Sequence, residues 1–172
     1  MYRISLYTLL FVVVMLLQIF VFDRLTFSII VAPLIYITTL VVLPTQTSQL
    51  EMMFWSLVVG ISADFCMGMA GVNTIATLFV GYTRIYIMNI TFGKEVVALG
   101  GVPIVAKLGY GRYLSYLIIM VAIHSLIFFA VESLTIVSWQ FILKRFVVSS
   151  IVSFIFVWLL SYIFGSLLTR KV

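Results

Sequence analysis

Six windows of this chain are each apolar over a length close to what a helix needs to cross a bilayer, about 20 residues. They cover approximately residues 4–22, 27–43, 52–67, 72–90, 113–131 and 146–168. In a chain of 172 residues, six such spans leave no room for a soluble domain. The expected fold is an all-α integral membrane protein, one domain of six transmembrane helices with short connections. Composition points the same way: 65% of the residues are hydrophobic and 9% charged, and the mean hydropathy is +1.31, well above a soluble domain.

The spans differ in detail. The first follows Arg3 like a signal peptide, but it is too long and lacks a small-residue cleavage site, so a retained helix is expected. Gln18 is its one strongly polar side chain in the distal half, and an amide there seeks a hydrogen bond from another helix, of this chain or of a partner protein, or at the interface. Asp23 and Arg24 make the first turn. The second span contains Pro33, which removes a backbone donor, so a bend is expected near Ile29 to Pro33. Pro44 ends it, and residues 44–51 form a polar loop. Residues 91–112 carry glycines and Pro103, which argue against a continuous helix; their apolar content suggests a segment along the membrane surface.

The third span carries an acid, Asp64. A charge near the centre of a membrane helix costs roughly 2.5–3.5 kcal/mol on insertion scales, so it usually faces the protein interior and finds a partner. Ser56, Gly60, Asp64 and Gly68 recur every four residues and share one face. Small residues at that spacing let another backbone approach. With Gly71 they are expected to serve internal packing ahead of dimerisation. The fourth span answers with Asn73, Thr77, Gly81 and Arg84.

Basic residues set the orientation. Arg3, Arg84, Lys94, Lys107, Arg112, Arg170 and Lys171 collect on one side, and Arg24, Lys144 and Arg145 on the other, so both termini are expected in the cytoplasm. At about 1.5 Å of rise per residue, Asp64, Asn73, His124 and Arg145 reach similar heights. They are expected to form a polar cluster in the outer half of the membrane, serving first as a structural tie between helices. Arg84 lies lower and is expected to snorkel to the cytoplasmic interface as an anchor.

Several function classes lose support. The single Cys66 excludes an internal disulfide and falls far short of a zinc or iron–sulfur ligand set. The net charge of +5 lies at span ends, which fits membrane topology better than nucleic acid. Asp23, Glu51 and Glu132 belong to turns, so no carboxylate pair shares a depth. No nucleophile–base order, metal spacing or phosphate-cradling glycine loop stands out. No enzyme, cofactor or metal is expected; His124 is expected to be a satisfied buried histidine.

A series of short motifs runs the length of the chain in order. They are Gln18, APLIY at 32–36, LP at 43–44, G-x-x-x-D at Gly60 and Asp64, and AGVNTIA at 70–76. Gly81, Tyr82 and Arg84 come next, then GYGRYLSY at 109–116, His124, Glu132, and K-R-x-x-x-S at Lys144, Arg145 and Ser149. In this order, within a six-span chain, the pattern resembles the MreD family of rod shape-determining proteins, in the form seen in Bacteroidetes-type bacteria. The chain departs from it at Gly71–Val72–Asn73, where relatives often have Gly-Leu-His or Gly-Met-His, and at Arg84–Ile85, where they often have Arg-Pro. An amide at position 73 donates and accepts hydrogen bonds but takes no charge.

The resemblance implies a non-enzymatic scaffold subunit of the cell-elongation (rod) complex, multi-pass in the bacterial inner membrane. It implies an MreC-like bitopic partner, a SEDS glycosyltransferase and a class B penicillin-binding protein, with MreB filaments coupled indirectly, all met through helix faces. It also implies an architecture similar to the substrate-binding S-components of energy-coupling factor vitamin transporters. That transporter role is the alternative function. It would use an alanine-rich face on span 1, and span 1 here has no alanine. A proton-relay enzyme is a third class, for which Asp64 would be essential.

Overall fold

The computed structural model describes residues 2–22, 31–134 and 138–170. Every regular element among them is helical: α1 (Tyr2–Leu17, continued by a π-helical turn, Gln18–Phe22), α2 (Thr38–Val42), α3 (Gln49–Met67), α4 (Val72–Phe92), α5 (Lys94–Leu99), α6 (Val105–Leu108), α7 (Tyr110–Glu132) and α8 (Trp139–Arg170). Four of them, α3, α4, α7 and α8, are long and apolar enough to cross a membrane. The chain is thus a multi-pass membrane protein in which α4 packs between α3 and α7, and α8 packs on α7. Large apolar side chains such as Phe65, Ile90 and Ile151 point outward from these helices.

Of the first two expected spans, the second differs from the sequence reading. The first is helical as expected, running from Tyr2 through the π-helical turn to Phe22. The turn at Asp23 and Arg24, and the start of the second span at 27–30, lie outside the described residues. From residue 31 the second span is not a helix: 31–37 are non-helical, and only Thr38–Val42 coil. The expected bend at Pro33 is a full loss of helix. Pro33 has no N–H to give and biases Ala32 away from helical dihedrals. Non-helical backbone survives at membrane depth only when protein buries it, and here Leu34, Ile35, Tyr36, Leu40, Val41 and Val42 are all completely buried. Residues 31–44 form a plug wrapped by the helices.

Local signals fix the helix ends. Ser48 and Glu51 close a capping box at the start of α3, in which each side chain satisfies the other's backbone N–H. The connection after α4 breaks at Gly93, Gly100, Gly101 and Gly109, all with positive φ. It is tied to the loop after the plug by Thr45 N–H donating to Gly101 O at 2.9 Å and Gln46 Nε2 donating to Ala98 O at 3.2 Å.

The small-residue face of α3 is internal, but only part of it packs. A Cβ on Gly60 would stand 2.5 Å from Thr74 Cα, and one on Gly81 would stand 2.0 Å from Ser56 Oγ. Ser56 and Gly60 thus interlock with Thr77 and Gly81. Gly68 and Gly71 belong to the turn instead. Their φ values are 66° and 88°, and a Cβ on either would meet nothing within 4 Å. They serve as left-handed backbone that reverses the chain, which a side-chain-bearing residue resists.

This packing predicts a compensating pair. Gly81→Ala should lower unfolding stability in detergent micelles by about 1–3 kcal/mol through overpacking. Adding Ser56→Gly, which removes the atoms that the new methyl strikes, should return most of the loss.

Candidate functional site

The site starts at the last turn of α3. The chain reverses through Gly68 and Gly71 and at once begins α4, so Asp64 faces the open N-terminus of that helix. Its Oδ1 accepts the Asn73 N–H at 2.9 Å and Asn73 Nδ2 at 3.0 Å. Its Oδ2 accepts the Thr74 N–H at 2.9 Å and the Thr74 hydroxyl at 2.5 Å. The acid is a helix cap supplied by the preceding helix. It takes up two of the backbone donors that a helix leaves open at its start, at the positive end of the helix dipole. Its compensation is that helix end, with no basic side chain among its bonds.

The network continues inward. Asn73 is fully buried, and its Oδ1 accepts the Tyr36 hydroxyl at 2.6 Å. The Tyr36 oxygen lies 3.2 Å from His124 Nε2 on α7. Proton directions follow in sequence. The carboxylate only accepts, so the Asn73 NH2 must face it and the Asn73 carbonyl must face Tyr36. The one Tyr36 proton is then committed to Asn73, and His124 Nε2 must carry a hydrogen. An amide in the middle of this chain passes no proton onward without becoming an imidic acid, so the arrangement is a tie and not a relay.

Three further fastenings hold the plug. Gln18, brought inward by the π-turn, donates to Pro33 O at 2.9 Å and accepts the Ile35 N–H at 2.9 Å. On α8, Ser149 accepts the Ala32 N–H at 3.0 Å and Ser153 the Leu34 N–H at 2.8 Å. At the other end, Arg84 donates to Tyr116 Oη at 3.0 Å, to Pro44 O at 3.3 Å and to Leu43 O, and Tyr116 donates to Val41 O at 3.2 Å. The carbonyls that end a helix lack intrahelical donors, and the guanidinium and phenol supply them.

The structure therefore brings Asp64, Asn73 and His124 together and leaves Arg145 out. Arg145 pairs with Glu132 at 2.5 Å and lies 5.7 Å from the centre of the Phe129 ring. Glu132 is the last residue of α7 and Arg145 lies two turns into α8. Glu132 is buried there, not a solvated turn residue. Arg84 is 1% exposed, so it is an interior clamp and not an interfacial anchor. Gln18 is also 1% exposed, which makes it an internal bond and not a partner contact. Tyr36 and Tyr116 were missed as site residues. Both stand inside apolar runs, and only the buried course of the plug makes their hydroxyls meet acceptors.

No family model, curated protein or solved structure matches this chain. Among the described residues, no group of three or more His, Cys, Asp or Glu side chains is placed to hold a metal ion.

Three outcomes test this geometry. Asp64→Ala should lower stability by about 2–4 kcal/mol, since buried backbone donors lose their acceptor. In a double-mutant cycle, Asp64→Ala and Arg145→Gln should add within about 0.5 kcal/mol, whereas Glu132→Gln and Arg145→Gln should not. Nitrogen-15 NMR of the lone histidine should find Nε2 protonated in the wild type, and Tyr36→Phe should shift that resonance.

Proposed function

We propose that this chain is a non-enzymatic scaffold subunit of the bacterial cell-elongation complex, working in the inner membrane with both termini in the cytoplasm. In this reading the plug and α1 complete six crossings, in an architecture like that of the vitamin-transporter S-components. The partners are an MreC-like bitopic protein, a SEDS glycosyltransferase and a class B penicillin-binding protein, with MreB reached indirectly.

One observation supports the reading above the others. Many of the scattered residues that carry the resemblance to MreD converge on one physical device. Gln18, Tyr36, Leu43–Pro44, Asp64, Asn73, Arg84, Tyr116, His124 and Ser149 all make hydrogen bonds within the plug or within the network that fastens it. The device itself fits a scaffold: the polar groups in it are bound to one another, and the helices present apolar faces outward. Such a body acts through its shape, by holding partner helices in register.

The test uses full-length protein in cells. Photo-crosslinkers at Leu9, Val12 and Leu16, the exposed face of α1, should capture a single-span periplasmic protein, and deletion of the gene should round the cells. Thermal stabilisation by a vitamin, with no such capture, would assign the transporter role instead.

A further inference from the structure

Where α6, α7 and α8 meet, the structure holds a cleft of about 180 Å³. Ile104, Val105 and Ala106 line it at the start of α6, Tyr113 on α7, and Ser161, Tyr162 and Ser166 on α8. Beside it Ile104 is seated on Gly165, where an added Cβ would stand 2.8 Å from Ile104 Cγ2. The walls therefore touch, and the cleft is part of the packing. Ala106, Tyr162 and Ser166 are exposed, so it opens on the outer surface of the protein. Tyr113 is the fourth residue of α7 (Tyr110–Glu132). A helix of that length measures about 34 Å, so Tyr113 lies near the edge of a hydrocarbon layer about 30 Å thick. That is the depth of lipid phosphates and glycerol esters.

Tyr113 is 1% exposed, and its hydroxyl has no hydrogen-bond partner. Ser161 stands beside it, but Ser161 gives its own proton to Trp158 O at 2.9 Å, and no hydrogen bond joins the two hydroxyls. A buried donor left without an acceptor is costly. The occupant of the cleft must therefore bring an acceptor to Tyr113 and apolar surface to Ile104 and Val105. A transmembrane helix spends its backbone carbonyls on itself. A phospholipid carries free phosphate and ester oxygens at this depth and reaches the cleft sideways from the bilayer. The surrounding charge has one sign. Segments 102–116 and 158–170 carry Lys107, Arg112 and Arg170 and no acid, which favours an anionic headgroup.

We propose that this cleft binds one anionic phospholipid of the adjacent leaflet, with Tyr113 donating to a phosphate or ester oxygen. This requires only that α7 and α8 cross the membrane. It holds or fails independently of the cell-elongation role.

The test uses the full chain in detergent, with dioleoylphosphatidylglycerol or dioleoylphosphatidylethanolamine added at equal concentration. Native mass spectrometry should find one phosphatidylglycerol retained several-fold more than phosphatidylethanolamine, and phosphatidylglycerol should raise the melting temperature. Tyr113→Phe removes a hydroxyl that bonds nothing in the protein. It should leave the lipid-free melting temperature unchanged and weaken phosphatidylglycerol retention roughly three- to tenfold. Ala106→Phe, which fills the cleft from an exposed position, should abolish retention, while Ile151→Phe on the outward face of α8 should not change it. Equal retention of the two lipids would overturn the proposal, as would equal stabilisation by inorganic phosphate, or retention that neither Tyr113→Phe nor Ala106→Phe alters. A fall in the lipid-free melting temperature of Tyr113→Phe would also overturn it, because water or protein would then already satisfy the hydroxyl.

Discussion

Inside a bilayer, every backbone N–H and C=O that is not in a helix must find a partner within the protein. That constraint governs this molecule, because residues 31–37 cross its interior outside any regular helix. The chain meets the constraint with side chains. Gln18 serves two backbone groups at once, Ser149 and Ser153 take one N–H each, and Arg84 and Tyr116 take the carbonyls at the far end. Each of these side chains comes from a different part of the sequence. A segment that in isolation would be the least stable part of the fold therefore becomes the part to which α1, α4, α7 and α8 are all bonded.

The acid at position 64 belongs to the same economy of polar groups. It satisfies the start of α4, and through Asn73 and Tyr36 it orients a histidine on α7. The upper layer around Asn73 and the lower layer around Arg84 are about 16 Å apart along α4. Both clasp the same plug, one at Tyr36 and one at Leu43 and Pro44. Between them α3 and α4 lie close enough that a single methyl has no space. Two clasps joined by a close-packed pair of helices make a stiff body. Stiffness is what a protein needs if its contribution is the position of its outer faces.

Much of this was legible in the residues. The apolar lengths fixed a helical membrane protein, and they placed α1, α3, α4 and α7 to within a few residues, though α8 begins seven residues before the expected start. The four-residue repeat of Ser56, Gly60 and Asp64 announced a face that packs closely, and depth alone grouped Asp64 with Asn73 and His124. Reading every apolar run as a helix failed at the second span. Hydropathy reports what a segment can be buried in, not whether its backbone coils, and Pro33 was the only local warning. Charge was also misread at Arg84 and Arg145. Counting Arg84 toward the interface ignores the carbonyls at a buried helix end, and grouping Arg145 with Asp64 by depth ignores the nearby acid Glu132.

The sequence by itself determined the solvent this chain lives in, the helices that cross it, and the presence of polar groups that could not be left alone there. Apolar length and charge cost are local quantities, and they can be summed along a chain. Only the tertiary structure decided which groups satisfy which. A hydrogen bond depends on two atoms meeting within about 3 Å, and Gln18, Tyr36 and Ser149 meet their partners only after segments far apart in the chain have closed around the plug.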